Sequence, residues 1–233
     1  MAVYFEPIKT ALILFPIIAF FITLPYLIIE YHKYGAVPLL RSVIVYTFIL
    51  YLLAAFLLVI LPLPSKEAVL KMPTRSPQLV PFTFIKDIMV TTNLNLKNPS
   101  TYLSFFKTPT VYTVIFNLFL LFPFGVYLHY YFEKKWYQVL IMSFCLSLFF
   151  EITQLTGIFF IYPKAYRLFD VADLMINTLG GMLGFICTKP ITIFLPSRKE
   201  LDQKAYTKGT KISIYRFILS ILFFYTYLGI IWK

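Results

Sequence analysis

The sequence predicts an all-α, polytopic membrane bundle of about six transmembrane helices, interrupted by one proline-rich interfacial loop. Three observations predict it. Of 233 residues, 60% are hydrophobic and only 13% charged, whereas an ordinary soluble domain carries roughly twice that charged share. Apolar runs recur at close to the length of about 20 residues that a helix needs to cross a hydrocarbon core of about 30 Å. The prolines also cluster, with Pro62, Pro64, Pro73, Pro77, Pro81, Pro99 and Pro109 all in the stretch from Pro62 to Thr110.

The predicted crossings run from Thr10 to Ile29, Ser42 to Leu61, Val111 to Tyr131, Tyr137 to Phe160, Leu174 to Leu195 and Ser213 to Trp232, all within one membrane domain. The first is preceded only by Lys9, is longer than a signal-peptide core and lacks an Ala-x-Ala site, so it is expected to stay as a helix. Pro16 and Pro25 in the first crossing, and Pro123 in the third, remove backbone donors and are expected to kink or interrupt their helices. Within the long loop, "LVPFTFIKDIM" mixes apolar residues with Lys86 and Asp87, the composition of a segment lying at the head-group layer. Cys145 and Cys187 fall in apolar runs and are expected to be reduced, buried thiols. His32, in a loop beside Lys33, and His129, near a helix end, have no metal-ligand spacing.

The net charge of +11 is scattered over short connections rather than gathered in one basic domain. That pattern points to anionic membrane lipids and away from nucleic acid. Lys33, Arg41, Lys134, Lys135, Lys189 and Arg198 lie in or beside short connections, where positive charge marks the cytoplasmic side. The termini, the long loop and the segment from Ile161 to Ala172 are then expected to face outward from the cell membrane.

Polar residues inside the apolar runs carry the functional signal, since a charge at a helix centre costs about 2.5 to 3.5 kcal/mol on insertion scales and is normally turned toward protein or water. Glu151 sits late in the fourth crossing, with Gln154 three residues on. Asp170, Asp173, Asn177, Gly180 and Gly184 are spaced 3, 4, 3 and 4, one stripe of a helix. Gly180 and Gly184 form a small-xxx-small pair that lets a neighbouring backbone approach, and Gly181 widens the groove. Asn117 stands on the third crossing just before Pro123 and Gly125. Asn117, Glu151, Gln154, Arg167, Asp170, Asp173 and Asn177 are therefore expected to converge on one binding site. A purely structural account stands beside this: Asp170 as an N-cap, Asp173 in the first turn, Arg167 neutralising both, and the amides joining helices.

In order and spacing, "LVPF" (Leu79 to Phe82), "NLFLLFPFG" (Asn117 to Gly125), "EITQ" (Glu151 to Gln154) and "RLFDVADLMINTLGGMLG" (Arg167 to Gly184) resemble the VanZ-like membrane proteins. The resemblance covers a core of about 79–185 and leaves the helices at 10–29, 42–61 and 213–232 outside it. Pro81 and Phe82 correspond to that family's Asn-Leu-x-Pro-Phe loop, although Gln78 stands where Asn is usual. Ala172 occupies a position where many relatives carry an acid, which counts against a three-acid metal site. The resemblance implies a role in the resistance of Gram-positive cells to glycopeptide antibiotics of the teicoplanin type.

Three mechanisms follow. The site can bind a lipid head group or the lipoglycopeptide itself, with Arg167 meeting an anion. It can modify a lipid or lipid-linked cell-wall precursor, with Glu151, Asp170 and Asp173 as catalytic acids or bases or as ligands of a hard divalent cation. Or it can serve ion-coupled transport, a reading weakened by the lack of a visible inverted repeat. No Gly-x-Ser-x-Gly elbow or His-Glu-x-x-His motif is present, and neither a metal nor a cofactor is expected.

Overall fold

In a computed structural model, residues 2–34, 37, 39–73, 76–92, 97–193, 195–196 and 200–201 are described. All regular structure among them is helical, and the chain forms two compact units, Met1–Leu61 with Ile191–Lys233, and Pro62–Pro190. Five helical stretches are long and apolar enough to cross a membrane: Phe5–Tyr34, Leu39–Ile60, Pro109–Tyr130, Trp136–Leu155 and Val171–Pro190. They make the chain a multi-pass membrane protein. The sixth expected crossing, Ser213 to Trp232, lies outside the described residues.

In the first unit, α1 (Ala2–Tyr34) and α2 (Leu39–Ile60) form an antiparallel hairpin. Its register is set by polar pairs: Thr23 with Tyr46 at 2.6 Å, Tyr26 with Ser42 at 3.1 Å, and Glu30 with Arg41. α1 runs through Pro7, Pro16 and Pro25 without interruption. In hydrocarbon a backbone that leaves the helix strands many polar groups, so losing single donors is the lesser penalty. His32 belongs to the last turn of α1 rather than to a loop. Arg41 donates through Nε and Nη2 to both oxygens of Glu30, each at 3.0 Å, and lies over the Tyr34 ring at 4.3 Å. Both charged residues are buried.

The second unit begins with three short helices, α3 (Lys66–Lys71), α4 (Thr83–Thr91) and α5 (Ser100–Lys107), so the proline-rich stretch is more ordered than a loop. One membrane crossing is broken in two, α6 (Pro109–Leu120) and α7 (Phe122–Tyr130), at Leu121, two residues before Pro123. α8 (Trp136–Leu155) ends five residues earlier than the apolar run, because a short left-handed turn, α9 (Gly157–Phe160), follows. α10 (Val171–Thr192) completes the unit. Cys145 and Cys187 are free thiols, but neither is buried as expected: Cys145 is exposed and Cys187 half-buried. An apolar position on a membrane helix can face lipid as well as protein.

The break at Leu121 and the glycines of α10 fit one another. A Cβ at Gly180 would lie 1.9 Å from the Leu118 carbonyl oxygen, and one at Gly184 would lie 2.0 Å from that of Phe122. Gly125 reciprocates: its Cβ would meet the Gly181 carbonyl oxygen at 1.8 Å. The helices therefore touch backbone to backbone, as the glycine spacing predicts.

Gly184→Ala should lower the thermal unfolding midpoint of the detergent-solubilised chain, because about 1–3 kcal/mol of overpacking outweighs the gain of up to about 1 kcal/mol in helix propensity. An unchanged or raised midpoint would refute the backbone contact. In the first unit, Arg41→Met alone should destabilise by about 3–5 kcal/mol, and Glu30→Leu added to it should recover most of the loss. If the double variant is no better than the single one, Glu30 and Arg41 are not a compensating pair.

Candidate functional site

The site is assembled by the return of the chain after α8. Ser143, Ser147 and Glu151 are four residues apart on α8, hence on one stripe, and all three are buried. Beyond Leu155, Gly157 adopts φ 59, and a Cβ there would stand 2.8 Å from the Lys164 carbonyl oxygen. Ile158, Phe159 and Phe160 continue with φ 57, 52 and 69. Left-handed backbone costs side-chain-bearing residues about 1–2 kcal/mol each, so the turn must be held by its surroundings. The following segment supplies the hold: Tyr162 Oη donates to the Pro64 carbonyl at 2.8 Å, and Lys164 Nζ to the carbonyls of Leu70, at 3.1 Å, and Met72. Those last two contacts also satisfy the C-terminal end of α3.

The reversed segment delivers Asp170 to Glu151. The Asp170 backbone N–H donates to Glu151 Oε2 at 3.0 Å, and Asp170 Oδ1 accepts from the Ala172 N–H at 2.7 Å. Asp170 is thus the N-cap of α10, as the structural reading has it. One turn on, Asn117 Nδ2 of α6 donates to Asp173 Oδ1 at 2.6 Å. One turn deeper, Asn177 Nδ2 donates to Ser147 Oγ at 3.0 Å. Three helices thereby meet through side chains that are polar, in segments otherwise made of Leu, Ile and Phe.

Gln154 is buried at the end of α8, one turn past Glu151. Arg167 is half-buried, and its charge acts favourably on both Glu151 and Asp173. Beside it, burial pushes the Tyr166 phenol up from its ordinary range, with Arg167 pulling it down. Asn177 Oδ1 and Ser143 Oγ are buried without a hydrogen-bond partner. Each of the three carboxylates uses one oxygen in the bonds above and presents a second. Among the described residues, no group of three His, Cys, Asp or Glu side chains is placed to hold a metal ion.

The proline-phenylalanine loop is fastened to the same place through its backbone. The Gln78 N–H donates to the Phe169 carbonyl at 2.8 Å, and the Gln78 carbonyl accepts from the Val171 N–H at 3.0 Å, forming an isolated parallel bridge with Asp170. Pro81 lies in the turn that follows, and Phe82 takes φ 62 just before α4. Two contributions escape a reading of residue types: this bridge, which uses only main-chain atoms, and Ser147, whose spacing from Glu151 was the available signal.

A family model described as VanZ/LLP1 matches residues 48–195, more than half of the chain. No curated protein and no solved structure gives a match.

The bridge makes a prediction of its own. Gln78→Ala keeps both main-chain bonds and should leave protease cleavage within 79–91 unchanged, whereas Gln78→Pro deletes the donor to Phe169 and should accelerate it. Equal cleavage in the two variants would show that the bridge does not hold the loop.

Proposed function

The chain belongs to the VanZ/LLP1 family, and from that premise we propose that its polar cluster binds a lipid head group or a lipoglycopeptide and so contributes to resistance against teicoplanin-type antibiotics. The observation that carries this reading is the convergence of Asn117 from α6, Glu151 from α8 and Asp173 from α10, beside Arg167. Helix capping accounts for Asp170 alone. It does not account for acids brought into membrane segments from two helices, each with an oxygen left to present.

The chemistry suits recognition. Arg167 offers a planar, permanently charged fork to a phosphate or carboxylate, while Glu151 and Asp173 offer acceptors to an amine or hydroxyl. Asn117 and the Asp170 N–H fix the orientation of the two acids, so the site is formed before a ligand arrives. The short basic connections at the other ends of the helices favour an outward-facing mouth. A membrane enzyme acting on lipid-linked precursors could use the same acids.

Expression of the wild-type chain in a teicoplanin-sensitive Gram-positive host should raise the inhibitory concentration. Glu151→Gln, Arg167→Gln and Asp173→Asn should return it to the empty-vector value while membrane abundance and folding stay normal. No protection by wild type defeats the resistance reading, and protection surviving all three substitutions defeats the site.

A further inference from the structure

α10 has two working faces, and the proposed function uses only one. Asp173, Asn177, Gly180 and Gly184 face α6, α7 and α8. On another side of the same helix lies a cavity of about 430 Å³, walled by Leu179 and Met182 of α10, Leu140 and Phe144 of α8, and by Phe82 and Phe84 at the start of α4. Its one hydroxyl, on Thr178, is spent on the Leu174 carbonyl at 2.7 Å. No polar group is offered to an occupant.

Three observations select the occupant. First, the walls from α8 and α10 belong to membrane-crossing segments, so the medium continuous with the open side is the hydrocarbon of the bilayer. Second, the volume falls among sites for small ligands, whereas a packed helix about 10 Å across fills a larger space. Third, Phe82 holds a left-handed conformation that a bulky residue rarely adopts. The main-chain bridge of Gln78 to Phe169 and Val171 pins that strained turn to the segment carrying Asp170. Strain retained by such an over-determined turn places an aromatic wall at the head-group end of the groove.

We propose that this groove seats one acyl chain of a membrane phospholipid, so that the ligand of the site is an intact phospholipid rather than a soluble molecule. The assignment rests on the head-group reading of the polar cluster. Phe82 and Phe84 close over the chain where it leaves the head group, and Phe144 and Met182 line its path into the bilayer.

The test uses the full chain in vesicles of phosphatidylethanolamine and phosphatidylglycerol, doped with phosphatidylglycerol carrying a diazirine on one acyl chain. After photolysis, adducts are mapped by peptide mass spectrometry. Adducts should concentrate on Phe144, Leu179 and Met182 over the lipid-exposed control positions Ile141 and Ile186. Leu179→Trp, a change at a surface position that fills the groove, should cut the groove adducts about tenfold and spare those at Ile186. Even labelling of all exposed positions, or groove labelling unaffected by Leu179→Trp, overturns the proposal. So does a disulfide trapped between Leu179→Cys and a cysteine placed in 213–232, which would make the chain's own last apolar run the occupant. Groove adducts that persist in Arg167→Gln with no change in head-group preference overturn the head-group reading while upholding the groove.

Discussion

One constraint governs the membrane part of this chain: a polar group inside hydrocarbon must find its partner within the protein. The sequence introduces such groups in two ways. A crossing helix is broken at Leu121, two residues before Pro123. Acids and amides are then placed on three helices. The same helix, α10, packs against both, because its glycines leave room for the carbonyls of Leu118 and Phe122 while Asp173 and Asn177 meet Asn117 and Ser147. Close approach and polar pairing reinforce one another, since the amides reach their partners only because no Cβ holds the helices apart.

The strained backbone serves that arrangement. A right-handed continuation of α8 would carry the chain past the membrane surface, with Asp170 left away from Glu151. The left-handed turn at Gly157 to Phe160 sends it back instead, and Tyr162 and Lys164 fasten the returning segment to carbonyls at 64, 70 and 72. Its unfavourable conformation is tolerated because those bonds, together with the Asp170 N–H on Glu151, are all made at once. Phe82 repeats the pattern on a smaller scale, with the Gln78 bridge as the fastening.

What was legible in the sequence follows the same physics. Periodicity reveals which residues share a face, so the stripe from Asp170 to Gly184 and the break near Pro123 could both be read. Charge in an apolar run is conspicuous, so Glu151 and Asp173 stood out. Main-chain hydrogen bonds and left-handed backbone leave no residue-type signature, and Gln78 and Ile158 were therefore silent. Glu30 was visible but unweighed: an acid closing one crossing and an arginine opening the next, across a short connection, are placed to pair. As a residue type in a short connection, Arg41 signals topology alone. Proline does not interrupt α1, because its lost donor is a smaller penalty than leaving the helix in lipid.

The two faces of α10 also limit what the site can be. A helix that merely joined its neighbours would bury its small and polar residues and present an unbroken convex surface to lipid. Here the surface beside Leu179 and Met182 is hollow, and an aromatic pair from a different part of the chain borders the hollow. Void surface forfeits dispersion contacts on its open side, so it persists at little penalty only where something fills it. On the proposed reading that filling is an alkyl chain, and Glu151, Arg167 and Asp173 lie toward the end of the helix where its head group would sit. A ligand with one greasy arm and one ionic end is what the proposed site and the proposed groove, taken together, would hold.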